Sequence, residues 1–527
     1  MKSIPLIFLN IILLCLCGCS TRSGHESAEK AAPNQFSTSY VPPVFKEQER
    51  IQKIGLALAE SHHYYIECSA NQHLPGIAYG LVVDDSLVFF GASGVTNLET
   101  GSSVTEHSLF RIASMTKSFT AMAILKLRDE GKLSLSDPVS RYMPELEQLK
   151  YLTADASTIT IFNLLTMTAG FPEDNPWGDR FLDISDDALM GQVEEGISFS
   201  SVPSLHYEYS NLGFGLLGHI ITAVSDLPYQ EYITRNILHP LDMTSTFWEY
   251  SEVPEELLAQ GYWWEDERWV AEPLLHDGAF GAMGGLITSI EDFSKYVSYH
   301  LSAWPARSDA ESGPVKRSTL REMHSLNKPR YLSDSKWFGN DTRPMIQGYG
   351  YGLRGIKDLE GVLEMGHGGG LPGFGSSYMF YPQHGIGIMA FSNLTYAGGI
   401  VKKANYKVIS KLIDQGLFRP RILPASEILE LRKEQVAQLI VSWDPELEKD
   451  IVAANLYMDI SRERRMSEAS ELLNQLGEIV STGPVIPENQ LRGSFFLKGK
   501  EQNLRVDFTL TPEADPKVQW LTLQLTD

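Results

Sequence analysis

Two stretches of the sequence combine apolar runs with a short polar turn, which is the pattern of a β-hairpin. In the first, the apolar runs 76–83 and 87–91 flank the polar residues 84–86. In the second, within residues 374–394, two strand-like runs flank a Pro-Gln-His turn at 382–384. Apolar runs of this length joined by turn residues predict paired strands. The sequence therefore predicts two hairpins that lie far apart along the chain.

Between these hairpins the hydrophobic pattern changes to that of helices. Residues 114–130 carry apolar side chains on nearly every face, and a helix that is apolar all round is buried. Gly131 is a suitable stop signal for this helix. Residues 137–300 continue with mostly helical periodicity, interrupted by Gly- and Pro-containing loops. Strands at both ends with helices between them predict an α/β fold, with a helical insertion, for residues 46–418.

Residues 425–527 are predicted to form a separate, small α+β domain. Residues 421–424 are a candidate linker, and Ser426 is a candidate N-cap of a helix rich in Glu, Leu and Lys. No catalytic constellation is evident here, so we expect an accessory domain with a structural role or a protein partner. Apolar residues alternate with polar ones, as in a half-buried strand, at Leu504, Val506, Phe508 and Leu510.

The N-terminus has the features of a secretory signal. Lys2 is followed by a nearly continuous apolar run that is too short to cross a bilayer comfortably. The run ends in Leu-Cys-Gly-Cys, which resembles the lipobox of bacterial lipoproteins and implies that Cys19 is acylated. Residues 1–19 would then be the signal peptide and residues 20–45 a flexible tether. An ordinary cleaved signal peptide is the alternative.

This resemblance implies a location and a partner. Ser20 follows Cys19, which resembles outer-membrane sorting in a bacterium with two membranes. We therefore expect a cell-envelope protein that is lipid-anchored in the outer membrane and faces the periplasm. Three of the four cysteines lie in the signal region, so Cys68 has no partner for an intrachain disulfide and is interpreted as a buried structural thiol. The net charge of −22 argues against binding to nucleic acid.

Ser114 and Lys117 form a Ser-x-x-Lys sequence at the start of the predicted buried helix. Side chains three positions apart on a helix are neighbours. A serine needs a base to take its proton, and a buried lysine can be that base because burial lowers its pKa. Other Ser-x-x-Lys copies occur at 27–30, 325–328 and 333–336, so a chance match is the alternative. Only the copy at Ser114 begins an apolar helix.

A second candidate element is Tyr209-Ser-Asn211, which occurs on a predicted loop before an apolar helix. Tyr209 could share a proton with Lys117, because a phenolate is favoured beside an ammonium group. Asn211 could hold the lysine or a substrate amide. A polar loop with a half-buried tyrosine is the alternative interpretation.

The third element is the glycine-rich run 366–370, which contains His367. Glycines let a backbone approach a ligand closely. Backbone N–H groups in this run could form half of an oxyanion hole, with the N–H of Ser114 as the other half. A glycine-rich turn with a bystander histidine is the alternative. A similar His-x-Gly sequence occurs at 276–278.

In this order the three elements resemble the serine β-lactamases and penicillin-binding proteins, in particular their class C-like branch. That branch includes D,D-peptidases, D-aminopeptidases and esterases, and its pattern is Ser-x-x-Lys, Tyr-x-Asn and Lys-Thr-Gly or His-x-Gly. The resemblance covers roughly residues 50–415. It implies a β-lactamase/transpeptidase-like fold, in which an antiparallel sheet is flanked by helices with a helical insertion.

The resemblance also implies a role for each matching residue. Ser114 forms an acyl-enzyme, and Lys117 and Tyr209 share the general-base and general-acid work. Asn211 orients the lysine or the substrate. The family needs no cofactor and no metal, and its substrates are small molecules or peptides with an amide or ester bond. The remaining substrate-binding candidates belong to the third element: His367, Gly369 and Gly370, of which Gly370 would supply the second oxyanion N–H.

One departure from the family pattern concerns substrate choice. His367 stands where most efficient β-lactamases of this branch have a lysine, and a neutral imidazole holds a carboxylate less firmly than an ammonium group does. This departure argues against efficient antibiotic hydrolysis and leaves peptidase and esterase activity open. Segments 173–200 and 330–350 are expected to be loops that shape the substrate pocket.

Three other classes of protein were weighed against the sequence. An α/β-hydrolase would need a Gly-x-Ser-x-Gly nucleophile elbow, and the sequence contains none. The sequence also lacks the His-Glu-x-x-His motif of a metallohydrolase. A non-catalytic envelope lipoprotein that binds cell-wall peptide or a partner protein stays open, although binding alone would not require all four of Ser114, Lys117, Tyr209 and Asn211.

Overall fold

A computed structural model describes residues 40–336 and 342–526. The predicted signal peptide, the candidate lipidation site Cys19 and most of the predicted tether lie outside these residues. Within the described ranges, no helix combines the length and the apolar character needed to cross a membrane. The chain divides into two compact units, one of residues Pro42–Pro424 and one that contains the residues from Ala425 onward.

A nine-stranded antiparallel sheet forms the centre of the first unit. This unit contains thirteen described strands: β1 Gly76–Val83, β2 Ser86–Asn97, β3 Ser102–Ser103, β4 Phe110–Arg111, β5 Tyr262–Glu265, β6 Arg268–Ala271, β7 Ile287–Thr288, β8 Lys328–Lys336, β9 Thr342–Tyr349, β10 Arg354–Asp358, β11 Leu363–Leu371, β12 Phe374–Tyr381 and β13 Ile386–Ser392. The large sheet has the order β3-β2-β1-β13-β12-β11-β10-β9-β8, and β4-β7 and β5-β6 form two short pairs.

Both hairpins predicted from the sequence are present. β1 pairs with β2, and β12 pairs with β13, each antiparallel. The two hairpins lie side by side in the sheet because β1 also pairs with β13, where Ile77 lies opposite Ser392. The predicted antiparallel sheet flanked by helices is therefore confirmed.

The helices of the first unit cover both faces of the sheet. They are α1 Arg50–Leu58, α2 His62–Asn71, α3 Lys117–Asp129, α4 Ile161–Leu165, α5 Asn175–Arg180, α6 Asp186–Glu195, α7 Asn211–Ser225, α8 Tyr229–Ile233, α9 Gly281–Gly284, α10 Ile290–Ser302, α11 Arg317–Met323 and α12 Gly398–Asp414. Short 3-10 helices occur at Ala113–Thr116, Val139–Arg141, Pro144–Gln148, His239–Leu241, Tyr250–Glu252 and Pro382–His384, with a π-helical turn at Thr234–Leu238.

Strand β1 shows how the sheet separates two hydrophobic cores. Side chains alternate between the faces of a strand. Ile77 and Leu81 contribute to the core under α1, α2 and α12, whereas Ala78 and Val82 contribute to the larger core under α3, α7 and α10. All eight residues of β1 are buried. A strand covered on both faces explains why this stretch of sequence is continuously apolar.

Two predictions, the start of the helix at 114–130 and the two pocket loops, differ from the structure. Ser114 lies in the 3-10 helix that precedes α3, because the α-helix itself starts at Lys117. The glycine-rich run 366–370, for which a turn was the alternative interpretation, is part of strand β11. Segment 330–350 is mostly the β8–β9 strand pair rather than a loop, and segment 173–200 contains α5 and α6.

The unit from Ala425 onward has its own core of helices against a five-stranded sheet. Its helices are α13 Glu427–Ser442, α14 Pro445–Ile451, α15 Leu456–Asp459 and α16 Arg462–Leu476, and its strands are β14 Ser481–Thr482, β15 Ile486–Pro487, β16 Arg492–Lys498, β17 Asn503–Leu510 and β18 Val518–Thr526. Ser426 caps α13 by accepting the N–H of Leu429 at 3.3 Å, as the sequence predicts. The four alternating apolar residues 504, 506, 508 and 510 are buried on one face of β17.

Candidate active site

The turn that carries Ser114 is held in a strained conformation. Ala113, directly before it, has a φ of 52°, which is rare for a residue with a side chain. Such strain costs on the order of 1–3 kcal/mol and persists only where surrounding contacts impose it. Here the neighbouring Ile112 is anchored on both sides: its N–H donates to Leu286 O at 2.9 Å, and its carbonyl accepts the hydroxyl of Ser376 at 2.7 Å.

Lys117, the first residue of α3, is fully buried and directed at Ser114. Its Nζ lies 3.0 Å from Ser114 Oγ, 2.8 Å from Asn211 Oδ1 and 2.8 Å from the carbonyl oxygen of Met283. The structure therefore brings together three residues that the sequence analysis proposed from separate motifs. Ser114 lies in the 3-10 helix and Lys117 begins α3. The two side chains are nevertheless within hydrogen-bond distance, as they would be on one turn of an α-helix.

Burial changes the proton affinity of this lysine. Removal from water disfavours the ammonium form. This burial, opposed by Asp179 and Asp174 and assisted by the positive charge of Arg354, lowers the pKa of Lys117 to about 7. A substantial fraction of neutral amine is thus present near neutral pH. A neutral amine at 3.0 Å can accept the proton of the Ser114 hydroxyl.

Tyr209 lies in the loop before α7 and lines the same cleft as Ser114. Lys117 Nζ lies 5.1 Å from the centre of the tyrosine ring, and the guanidinium carbon of Arg354 lies 5.0 Å from it. Burial raises the pKa of Tyr209 well above its ordinary value despite these cations. The side chain is therefore a protonated phenol at neutral pH, in contrast to the phenolate considered from the sequence.

Asn211 is held in place by a residue that the sequence analysis did not single out. The carboxylate of Asp174 accepts the backbone N–H of Asn211 at 2.6 Å, that of Leu212 at 2.8 Å and the hydroxyl of Ser210 at 3.2 Å. These contacts satisfy the free N–H groups at the start of α7. The Asp-Asn-Pro sequence at 174–176 is a helix-start signal that could have drawn attention to Asp174.

The glycines of β11 allow the strand to pack against the turn that carries Ser114. A Cβ atom added to Gly369 would lie 2.3 Å from both Ile112 O and Ser376 Oγ, which is too close for any side chain. Gly370 pairs with Gly375 of β12. Gly369 and Gly370 line a cleft of about 240 Å³ together with Ser114 and Tyr209.

His367 is buried, and its ring is held by the protein itself. Nδ1 lies 2.5 Å from the carbonyl oxygen of Gly368, so it carries the hydrogen, and Nε2 lies 3.2 Å from the hydroxyl of Tyr349. Burial and the nearby Arg354 and Lys117 lower the pKa of His367 well below its ordinary value. The imidazole is consequently neutral and does not supply a cation to the cleft.

Arg354 brings the permanent positive charge that His367 does not. It lies on β10, opposite Gly366 of β11, and lines both the cleft that contains Ser114 and an adjoining cavity of about 250 Å³. Arg354 could not be recognised from the sequence because no motif surrounds it. In the described parts of the chain, no group of His, Cys, Asp or Glu side chains is arranged to hold a metal ion.

The chain is similar to known proteins of one family. The family model described as Beta-lactamase matches residues 62–412. Protein flp from Staphylococcus aureus is 28% identical over 353 residues, and the match covers 64% of this chain and 64% of that protein. The chain thus spans under two thirds of the length of this curated relative. A beta-lactamase from Yersinia enterocolitica is 24% identical over 370 residues, which cover 65% of this chain and 88% of that one.

A solved structure has the same fold. The octameric penicillin-binding protein homologue from Pyrococcus abyssi matches with a TM-score of 0.57 and 22% identity, covering 89% of this chain and 99% of that chain. The predicted resemblance to the β-lactamase and penicillin-binding protein superfamily is confirmed by these findings. All three motifs of the sequence analysis fall within the range that the family model matches.

Proposed function

We propose that this chain, which belongs to the beta-lactamase family, is a serine hydrolase of the class C-like branch that cleaves amide or ester bonds through an acyl-enzyme. The family is one of serine hydrolases, and the activity of this member is our inference. One observation carries it: the fully buried amine of Lys117 lies 3.0 Å from the hydroxyl oxygen of Ser114.

The first chemical step follows from the proton affinities in the site. Neutral Lys117 takes the proton of Ser114 while Ser114 Oγ attacks the substrate carbonyl carbon, and the carbonyl π electrons move to oxygen. The backbone N–H groups of Ser114 and Gly370 are the candidate donors to this oxyanion, because both residues line the same cleft. Asn211 and the carbonyl of Met283 hold the lysine in place during the transfer.

The second step expels the leaving group. As the tetrahedral intermediate collapses, the leaving nitrogen or oxygen takes a proton from the Tyr209 phenol, and Tyr209 is reprotonated from Lys117. A protonated tyrosine that lines the cleft together with Ser114 is suited to this general-acid role. Water then attacks the acyl-enzyme through the same two steps, with Ser114 as the leaving group, and the acid is released. The proton balance is closed, and no cofactor is needed.

Substrate binding is proposed to depend on Arg354 in place of the lysine of the third motif. His367 is neutral, so Arg354 is the candidate cation for a carboxylate on the leaving-group side of a small molecule or peptide. This favours peptides and other carboxylated amides over simple neutral esters.

Covalent labelling tests the proposed nucleophile. The full chain, purified in detergent, is incubated with a fluorophosphonate or with penicillin and weighed by intact-protein mass spectrometry. We expect one adduct with each reagent, both lost in Ser114→Ala and both retained in the control Ser136→Ala, which changes an exposed serine. An adduct with the fluorophosphonate alone would favour an esterase or aminopeptidase-like enzyme. No adduct with either would favour the non-catalytic envelope lipoprotein instead.

We also propose that the chain is lipid-anchored at Cys19 and faces the periplasm from the outer membrane. The support is the apolar run and the Leu-Cys-Gly-Cys sequence. Metabolic labelling with an alkyne-tagged palmitate should modify the wild type and Cys17→Ala but not Cys19→Ala. Label that persists in Cys19→Ala would refute the anchor.

The unit from Ala425 onward is proposed to be an accessory domain that binds a protein partner or supports the hydrolase unit.

A further inference from the structure

Asp179 is a buried carboxyl group in the candidate active-site cleft that the proposed mechanism does not use. It lies in α5, its side chain is 3% exposed, and it lines the same cleft of about 240 Å³ as Ser114, Tyr209 and Gly370. Charged side chains are rarely buried without a partner. Its position in a catalytic cleft therefore requires an explanation.

The hydrogen bonds within the protein do not satisfy this group. Among the described residues, Asp179 Oδ1 has no hydrogen-bond partner. Tyr396 lines the same cleft and lowers the pKa of the carboxyl group, and Oδ1 remains available for another donor. An unpaired oxygen of this kind is costly in a folded protein. A donor supplied by a bound molecule would remove that cost.

The charges nearby indicate what kind of donor fits. Burial raises the pKa of Asp179 to about 7, with Asp174 and Glu173 acting in the same direction, while Lys117 lowers it. Lys117 is already in contact with Ser114, Asn211 and Met283. A cationic nitrogen from outside would ionise the carboxyl group and pair with it, whereas a second carboxylate would be repelled.

Tyr396 completes the surroundings of this carboxyl group. Its side chain is 46% exposed and lines the cleft, and its Cδ1 would be 2.9 Å from a Cβ added to Gly370. An aromatic ring beside a carboxylate is favourable for an ammonium group, because the ring face attracts cations. The cleft volume of about 240 Å³ is below the roughly 300–1,000 Å³ of drug-sized pockets, so a compact acyl group fits it best.

We propose that Asp179 is a specificity-determining residue that binds a free ammonium group on the acyl part of the substrate, close to the scissile carbonyl. The substrate class is then an amide or ester of an amino acid or peptide with a free amino terminus. This inference rests on the proposed serine hydrolase function. It adds that the ammonium group lies on the acyl side of the scissile bond, whereas the carboxylate assigned to Arg354 lies on the leaving-group side.

Four p-nitroanilides that differ only at the acyl group test the inference with the full chain. They are the two alanyl enantiomers, the N-acetylalanyl compound and the isobutyryl compound, in which a methyl group replaces the amine. The wild type should hydrolyse one alanyl enantiomer with a kcat/KM about 10–100-fold above that for the isobutyryl compound, as expected for a charge-assisted hydrogen bond. Asp179→Asn should abolish this preference, read as the ratio of the kcat/KM values for the alanyl and isobutyryl compounds in each protein, so that any effect on Lys117 common to both substrates cancels. Asp183→Asn, which removes an exposed carboxylate nearby, should behave as the wild type.

The outcomes separate this inference from the function on which it rests. A wild type that labels with a fluorophosphonate but prefers the isobutyryl or N-acetylalanyl compound would overturn the role of Asp179 alone, and this measurement does not depend on the folding of any variant. An equal loss on all substrates in Asp179→Asn would also overturn it, because it would indicate a structural role. Failure of Ser114 to label with any reagent would overturn the proposed function itself.

Discussion

Replacement of Lys117 by methionine is expected to abolish most activity without unfolding the chain. The amine lies 3.0 Å from Ser114 Oγ, within the ~2.6–3.2 Å reach required of a general base. A base so placed contributes about 10²–10⁴-fold to the rate, which is about 2.7–5.4 kcal/mol of barrier at about 1.36 kcal/mol per tenfold. We therefore expect kcat/KM to fall by a factor of about 100–10,000.

The effect on folding should be small by comparison. Methionine nearly preserves the side-chain volume but leaves Asn211 Oδ1 and Met283 O without the donor they have in the wild type, at about 1–3 kcal/mol for each buried acceptor. This loss is offset because a buried, partly charged amine no longer has to be removed from water. Lys117→Ala would add a cavity to the same chemical change, so methionine is the cleaner substitution.

The assay follows p-nitrophenyl acetate hydrolysis and the rate of fluorophosphonate labelling, with thermal unfolding measured on the same samples. Lys126→Met, a partly exposed lysine on the same helix, is the matched control and should keep the wild-type rate. A folded Lys117→Met protein that hydrolyses the ester at nearly the wild-type rate would refute the assignment of Lys117 as the base.

Three further outcomes can be measured. Because burial lowers the pKa of Lys117 to about 7 and only the neutral amine accepts a proton, fluorophosphonate labelling should rise about tenfold per pH unit below about 7 and level off above it; a flat profile would contradict this. Asp174→Ala removes the acceptor for the first amides of the helix that begins at Asn211, so chemical denaturation should show a loss of about 0.5–2 kcal/mol, and an unchanged midpoint would contradict the cap. Gly352→Ala should destabilise by more than about 1 kcal/mol, because φ is +66° and the new Cβ would lie 2.6 Å from the carbonyl oxygen of Lys117. Gly131→Ala, with a similar φ but open space around it, should cost less.

The sequence predicted the parts of the fold that depend on local pattern. The hairpins at 76–97 and 374–392 were recognisable because their strands contain apolar runs, three of which are buried throughout, and their turns contain the expected polar or proline residues. The cap at Ser426 was equally local. By contrast, the pairing of β1 with β13 was not predictable, because nothing in either strand specifies which distant strand lies beside it.

The candidate site divides in the same way. Ser114, Lys117 and Asn211 belong to motifs, and the structure places Ser114 Oγ and Asn211 Oδ1 within hydrogen-bond distance of the Lys117 amine. Arg354 and Asp179 have no motif, since their importance arises only when β10 and α5 are folded against the cleft. The raised pKa of Tyr209 could not be predicted from the sequence either, because it depends on how deeply the side chain is buried, which a loop sequence does not reveal.

The pairing of β1 with β13 has a consequence for how the protein comes into being. The pairing of Ile77 with Ser392 at the centre of the sheet can form only after the chain has been synthesised as far as β13. Contacts between residues so far apart in sequence also slow folding. At about 5–20 residues per second, the ribosome needs more than about ten seconds to extend the chain from one to the other. The nucleophile is thus synthesised well before the strand against which its turn packs. A truncated or half-made chain would carry Ser114 without a working cleft, so catalytic competence arrives as one of the last events in the maturation of this unit.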